Sequence, residues 1–193
     1  MQMDHIIKSL SKKRPVFHSE KDFQFSLAWE IKSQYPKSEI RFEFPCIGVN
    51  DYMGMVVFCD NKWYPVEIKY RKAEFSTIIN YEQYRLTTDL PKHEDIHTFI
   101  KDIQRVETQS KIMNSLRGGF VIWLSNDYAY WEPVSSKSKS APFFVHEGVT
   151  IAGEIKNARH SVKILGTYTV RWRDYSRFNL ENGDFKYVLF NIE

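Results

Sequence analysis

The spacing of apolar residues predicts two helices at the start of the chain. The first is short, can be capped by Asp4, and ends before the basic run at 12–14. The second begins after Ser19, a good N-cap residue followed three positions later by Asp22, and it ends before Pro36. The residues that recur at helical spacing, and so predict the buried faces, are Ile6, Ile7 and Leu10 in the first helix and Phe23, Leu27 and Ile31 in the second.

Strand-like runs follow the second helix. Residues 40–44 alternate in polarity, and the apolar runs 53–59 and 63–70 are joined by the turn-forming residues Asp60 and Asn61, which predicts a β-hairpin. Apolar residues at helical spacing predict a helix over 96–114 that ends near Gly118, whereas residues 73–91 show no clear pattern. Further strands are predicted at 120–124, 128–131, 143–145, 162–165, 167–172 and 186–192.

This order of elements predicts a mixed α/β fold, in which helices flank a mixed β-sheet. A serine- and lysine-rich run at 135–140 predicts a surface loop, and the chain is β-rich from about residue 141. We expect one domain over residues 1–193, because the last 50 residues or so would bury little core alone.

The composition limits the class of protein. The 193 residues, of 23.0 kDa, are 42% hydrophobic, which is enough for a core and too much for a disordered chain. A net charge of +3 permits nucleic-acid binding without demanding it. We expect a soluble cytoplasmic protein with no membrane partner, because the chain has no signal peptide and no run of 18 apolar residues. Cys46 and Cys59 match no metal-ligand spacing and are expected to be free buried thiols.

The residues with the most chemical content lie on the predicted strand at 63–70. Side chains alternate along a strand, so Glu67 and Lys69 share one face while their apolar neighbours take the other. Asp51 precedes Glu67 by 16 residues, an interval that fits two strands and a tight turn and brings both carboxylates to one end of the sheet. Two such carboxylates can bind a hard cation such as Mg²⁺ or Mn²⁺, and the lysine can orient or deprotonate an attacking water.

Three more charged residues adjoin this set. Glu20 begins the apolar face of the second helix, so it either points toward the sheet as an accessory acid or only stabilises the positive helix N-terminus. Arg71 and Lys72 follow the strand and can neutralise backbone phosphates, although solvated surface charges would give the same pattern.

The ordered set of Glu20, Asp51 and Glu67-Ile68-Lys69 resembles the PD-(D/E)XK nuclease superfamily. The resemblance implies a restriction-endonuclease-like core, Asp51 and Glu67 as Mg²⁺ ligands, and hydrolysis of phosphodiester bonds in nucleic acid, with DNA favoured. It also implies that Lys69 lies beside the attacking water, that Glu20 is an accessory acid, and that Gln83 contacts phosphate or metal-bound water. A two-fold homodimer is compatible with this role, because such dimers are common among enzymes that cut both strands of a duplex.

The rest of the chain is similar to a group of bacterial proteins with that core. The match on the predicted helix implies a positioning role, near the site or at an interface, for its charged residues, which are Lys101, Asp102, Arg105 and Glu107. Asp102 and Arg105 are three residues apart, so the alternative is that this pair only supports the helix. The segments that carry the similarity are 65–70, 99–107, 124–127 with Tyr130 and Trp131, and 168–172 with 174–176.

One position departs from the family pattern. The resemblance implies an acid directly before the apolar strand, at the place of Gly54. Either Asp51 has taken that role from three residues away, or the site has lost a metal ligand. In the second case the chain would be a catalytically silent module that binds nucleic acid or a partner protein. A third interpretation is a structural or toxin-system component in which Glu67 and Lys69 form an ordinary solvated pair.

Overall fold

The computed structural model describes residues 1–89, 92–112, 118–135, 137 and 142–193. Over those residues the fold is mixed α/β, as predicted, with three helices, a six-stranded sheet and two hairpins. The helices are α1 (Met3–Lys13), α2 (Glu20–Gln34) and α3 (Lys92–Ile112). The strands are β1 (Glu39–Pro45), β2 (Tyr52–Cys59), β3 (Lys62–Arg71), β4 (Phe75–Ile79), β5 (Glu82–Leu86), β6 (Gly119–Ser125), β7 (Thr150–Lys156), β8 (Ser161–Thr169), β9 (Arg173–Arg177) and β10 (Asp184–Ile192).

The large sheet has the order β1-β2-β3-β6-β10-β9, so β3 lies in its interior. Strands β3 and β6 are parallel, and the other neighbouring pairs are antiparallel. Parallel neighbours need a crossover connection, which here contains the β4–β5 hairpin and α3. Helix α3 packs against both strands that it connects, and this contact brings its side chains to one face of β3.

Each face of the sheet has its own hydrophobic core. The even-numbered residues Val66, Ile68 and Tyr70 of β3 pack with α1, α2 and the β4–β5 hairpin. The opposite face packs against α3 and the β7–β8 hairpin, and it includes Val121 and Trp123 of β6. Because side chains alternate along a strand, the odd-numbered positions of β3 face α3. Glu67 and Lys69 therefore point toward a helix instead of solvent.

The turn and cap chemistry near the site agrees with the sequence in two places. Asp60 and Asn61 have φ values of 52° and 58°, which fit the two-residue hairpin turn between β2 and β3. Ser19 caps α2, because its hydroxyl accepts a hydrogen bond from the Asp22 amide at 3.1 Å. The expected cap at Asp4 is wrong: α1 begins at Met3, and the Asp4 carboxylate pairs with Lys8, Arg173 and Tyr187.

Several predictions for the second half need correction. Residues 128–130 form a 3-10 turn instead of a strand, because the Asp127 side chain accepts a hydrogen bond from the Ala129 amide at 3.0 Å. Residues 143–145 do not join a strand, although Phe143 and Val145 are buried, and the predicted strands at 162–165 and 167–172 are largely one strand, β8. The unassigned stretch 73–91 contains the β4–β5 hairpin, and β7 and β9 were not predicted.

Other predictions concern the helix end, the loop, the thiols and the membrane. The predicted helix end near residue 114 and most of the predicted loop at 135–140 lie outside the described residues. Cys46 and Cys59 are free and buried, as expected. None of the described helices is both long enough and apolar enough to cross a membrane.

Gly119, the first residue of β6, allows the sheet and α3 to approach each other closely. A Cβ at this position would lie 2.5 Å from Cγ1 of Val106 and 2.8 Å from the carbonyl oxygen of Pro65. We predict that Gly119→Ala lowers the free energy of unfolding by about 1–3 kcal/mol through overpacking, as measured by urea denaturation. Gly54→Ala is the control, because Gly54 also lies in a strand without a positive φ and its added Cβ would lie no closer than 3.2 Å to another atom, so a smaller loss is expected. An unchanged urea midpoint for Gly119→Ala would contradict this account of the packing.

Candidate active site in the fork between two strands

Strands β2 and β3 separate at one end, and the candidate site lies in the gap. They pair from Cys59–Lys62 to Met55–Val66, where the ladder ends. Beyond that point side chains satisfy the backbone: Gln24 of α2 donates to the Gly54 carbonyl at 2.9 Å, and Glu20 accepts from the Tyr70 amide at 2.9 Å. We call this gap the fork. Its charged residues are Glu20, Asp51, Glu67, Lys69, Asp102 and Arg105.

Glu67 is the acid at the centre of the fork. Its residue surface is only 6% exposed. Oε1 accepts a hydrogen bond from the Gly54 amide at 3.2 Å and lies 3.1 Å from Nε of Arg105. Burial, together with the negative charge of Asp102 nearby, raises the pKa of Glu67 to about 8. Its surroundings therefore make Glu67 easier to protonate than an exposed glutamate.

Lys69 and Asp102 form the second pair. Lys69 Nζ lies 3.5 Å from Oδ2 of Asp102, whose side chain is 2% exposed. Burial raises the pKa of Asp102, although the positive charges of Lys69 and Arg105 oppose that increase. Since Asp102 belongs to α3, this pair attaches the helix to the face of β3 that carries Glu67 and Lys69.

Arg105 contacts three acidic side chains. NH1 donates to Oδ2 of Asp51 at 2.8 Å, NH2 donates to Oδ1 of Asp102, and Nε lies 3.1 Å from Oε1 of Glu67. Although burial alone would lower the pKa of Arg105, the charges of these carboxylates raise it. For Asp51, burial would raise the pKa, but the hydrogen bond from Arg105 holds that pKa below its usual value. The guanidinium thus lies among acids from three separate parts of the chain.

A neighbouring group of ions surrounds Arg71 at the end of β3. NH1 of Arg71 donates to Glu20 Oε2 at 2.8 Å, and its Nε donates to Asp95 of α3 at 2.6 Å. Lys72 pairs with Asp89 at 3.3 Å. Arg71 and Lys72, the predicted phosphate-binding residues, are therefore each already engaged with carboxylates. Glu20 faces the sheet, in agreement with its position on the apolar side of α2.

Gln83 lies outside this network. It is exposed on β5, in the separate β4–β5 hairpin, where it pairs in register with Ile78. Its amide oxygen can accept from Nε of Arg85 at 3.1 Å on the same strand. The structure brings Glu20, Asp51, Glu67 and Lys69 into or beside the fork, while the contact that it shows for Gln83 is with Arg85.

Gly54 lies where the family pattern expects an acid, and the structure shows what a side chain there would contact. A Cβ on Gly54 would be 3.2 Å from Oε2 of Glu67 and 3.3 Å from Nε2 of Gln24. The backbone of Gly54 does not have a positive φ, so an L-residue is not excluded by its conformation. Position 54 therefore points into the fork, directly at Glu67.

The residue types in the fork suit a divalent cation, but their observed arrangement does not. Carboxylate oxygens are the ligands that Mg²⁺ prefers, and three carboxylates converge on Arg105. Nevertheless, no group of three or more His, Cys, Asp and Glu side chains in the described part of the chain is arranged to hold a metal ion. The Arg105 guanidinium contacts all three acids. The residues fit Mg²⁺ in type, with Asp51 and Glu67 as ligands, provided that Arg105 moves away.

Sequence reasoning identified some of these residues better than others. Asp102 and Arg105 could be recognised as a charged pair on a helix near the site or at an interface, and the structure places both in the fork. Glu107 instead accepts hydrogen bonds from the Leu165 and Gly166 amides at 2.9 and 2.7 Å, so it joins α3 to β8. Gln24 carried no sequence signal, because its role depends on the place where β2 leaves β3.

The raised pKa of Glu67 gives a pH dependence with a definite sign. Between its ordinary pKa of 4.5 and about 8, the folded protein binds a proton at Glu67 that the unfolded chain does not. Folding stability due to this group must therefore fall as the pH rises through that window. We predict that wild-type protein loses unfolding free energy between pH 6 and pH 8.5 relative to Glu67→Gln, which cannot ionise. Urea denaturation of both proteins across that range is the measurement, and a difference independent of pH would contradict it.

Comparisons with known proteins provide no relative from which a role for these residues could be transferred. The assignment of function therefore depends on the fork itself. No family model, curated protein or solved structure matches the chain.

Proposed function

We propose that the protein is a metal-dependent nuclease that hydrolyses phosphodiester bonds in nucleic acid, with DNA as the favoured substrate and the fork as its active site. The observation that carries this proposal is the convergence of Glu67 and Lys69, from one face of an interior strand, with Asp51 and Asp102 from two other parts of the chain. An acid and a lysine on one strand beside further acids are the groups that the family resemblance predicts.

Burial of these groups also supports a chemical role. A solvated surface pair would leave Glu67 exposed, but Glu67 is 6% exposed and Asp102 is 2% exposed. Burying charged groups is costly unless they are paired, so a protein gains little stability from this arrangement. Strongly shifted pKa values in such a gap are typical of functional sites, although structural ion networks shift them too.

Four residues of the fork have a defined part in the proposed reaction. Asp51 and Glu67 would hold Mg²⁺, which when bound polarises the phosphate and activates water. Lys69, with its ammonium group beside Asp102, orients the attacking water and stabilises the negative charge that develops on the phosphate. Glu20 fixes the Tyr70 amide and Arg71, and so holds the end of β3 that carries Lys69 in place.

Lys69 gives the most direct test of this function. We predict that wild-type protein cleaves single- or double-stranded DNA, or RNA, only with Mg²⁺ or Mn²⁺, and that Lys69→Met lowers the cleavage rate by about 100-fold or more. The lost ammonium no longer stabilises the phosphate charge, while the methionine keeps the apolar stem. Cleavage is followed on labelled oligonucleotides and on plasmid.

The control is Lys156→Met, which removes an exposed lysine from β7. Circular dichroism and a melting temperature show that each variant remains folded. The nuclease proposal fails if wild-type protein leaves every substrate intact with both ions, or if Lys69→Met cleaves as fast as Lys156→Met.

A second candidate function is a silent module that binds nucleic acid without cutting it. Gly54 favours this candidate, because it leaves the fork without a carboxylate at a position that points at Glu67. Arg105 favours it as well, since the guanidinium already neutralises the acids that would hold a metal. A nucleic-acid binder of this kind would lose affinity steeply with salt and show no cleavage.

Position 54 separates the two candidates. We predict that Gly54→Asp raises Mn²⁺ affinity about tenfold over Gly54→Asn, because the aspartate adds a charged ligand to the fork. The asparagine variant is the matched control, with nearly the same shape and no charge. If the module is silent, Gly54→Asp also acquires cleavage that wild-type protein lacks; if it is already a nuclease, cleavage is present before the change. Equal Mn²⁺ affinity of the two variants in calorimetry would contradict the position assigned to residue 54.

A further inference from the structure

Arg105 is in contact with three acids at once. It reaches Asp51 at 2.8 Å, Glu67 at 3.1 Å and also Asp102, so one guanidinium is shared by carboxylates from the β1–β2 connection, β3 and α3. A bidentate pair with a single carboxylate is the usual strong arrangement for arginine. Here the donors are instead distributed over three acids, as the ligands of a metal ion would be.

The fit of the guanidinium is incomplete. Arg105 Nε is buried, and its approach to Glu67 lacks the alignment of a hydrogen bond. A buried donor without an aligned acceptor is unfavourable, which weakens the hold of this side chain on the fork. The residue is therefore attached by charge more than by optimal geometry.

The charges of the fork favour a divalent cation over a monovalent one. Asp51, Glu67 and Asp102 carry three negative charges when ionised, while Arg105 and Lys69 supply two positive charges. A divalent cation in place of the guanidinium, with Lys69 unchanged, would match the charge of all three carboxylates.

The Arg105 side chain can also leave the fork toward solvent. Arg105 is 24% exposed, and its partner Asp51 is 53% exposed, so the mouth of the fork opens to solvent on the side of these two residues. The neighbouring Gln104 donates to the Lys163 carbonyl at 3.2 Å, so α3 can stay anchored while the Arg105 side chain rotates. The movement requires only rotations within one long side chain.

We propose, on the basis of the nuclease function above, that Arg105 is an internal competitor for the divalent cation. Its guanidinium and the cation occupy the carboxylates of Asp51 and Glu67 alternately, so Arg105 sets how much Mg²⁺ or Mn²⁺ the protein needs. Removing the guanidinium therefore raises the affinity for the cation, whereas an arginine that only holds the ligands in position would lower the affinity when removed.

The test is a Mn²⁺ titration of EDTA-treated protein, in which the electron paramagnetic resonance signal reports free Mn²⁺. Arg105→Gln is expected to bind Mn²⁺ at least about tenfold more tightly than wild type, and Arg105→Lys, with a shorter reach and a single cationic group, to fall between them. Arg171→Gln, which breaks an exposed pair with Glu147, is the control and is expected to match wild type. If Arg105→Gln does not fold, Arg105→Lys alone decides by binding more tightly or not.

Thermal unfolding gives a second readout that is independent of activity. Because the cation replaces the lost guanidinium, Mn²⁺ should raise the melting temperature of Arg105→Gln more than that of wild type. Equal or weaker Mn²⁺ binding by the variants, including no binding by any of them, overturns the inference. Cleavage by wild type without tighter binding in the variants rejects the inference but leaves the nuclease function intact. Tighter Mn²⁺ binding by the variants without cleavage by wild type supports the inference and rejects the nuclease function.

Discussion

Two buried acids, Glu67 and Asp102, held beside the cations Arg105 and Lys69 are the constraint on which the rest of the site depends. Leaving a buried charge without a partner costs several kcal/mol, so the fork can form only if α3 packs in the register that brings Asp102 and Arg105 to β3. Consecutive inward positions of β3 each meet a residue of opposite charge on α3: Glu67 meets Arg105, Lys69 meets Asp102, and Arg71 meets Asp95. These pairs fix the position of the helix on the strand while offering little net stability.

The separation of β2 from β3 connects this constraint to function. An interior strand that loses its neighbour exposes backbone groups that need partners, and polar side chains supply them here. Glu20, Gln24 and Glu67 each bind a backbone group at the open end of the ladder. The same separation leaves room for charged side chains between α2 and α3. A site of this kind needs a fold with a crossover helix on one face and an N-terminal helix on the other, which the mixed sheet provides.

Local chemistry made part of this predictable. Alternation along β3 was enough to place Glu67 and Lys69 together, and the cap at Ser19 and the turn at Asp60 follow from residue type. The β4–β5 hairpin was not predicted, because its strands are short and interrupted by polar residues. The shared contacts of Arg105 could not be predicted either, since Asp51 lies 54 residues away in sequence and the contact exists only after α3 has packed. The helix cap at Asp4 was wrong because distant partners, Arg173 and Tyr187, bind that carboxylate instead.

The central claim is that the fork is a cation site for phosphodiester hydrolysis. A crystal of the protein soaked in Mn²⁺, with anomalous diffraction recorded at the manganese edge, tests it most directly. The account predicts an anomalous peak bound to the carboxylates of Asp51 and Glu67, with the Arg105 guanidinium turned toward solvent. A fork without a peak, in which Arg105 still contacts Asp51, Glu67 and Asp102 at high Mn²⁺ concentration, would contradict the account.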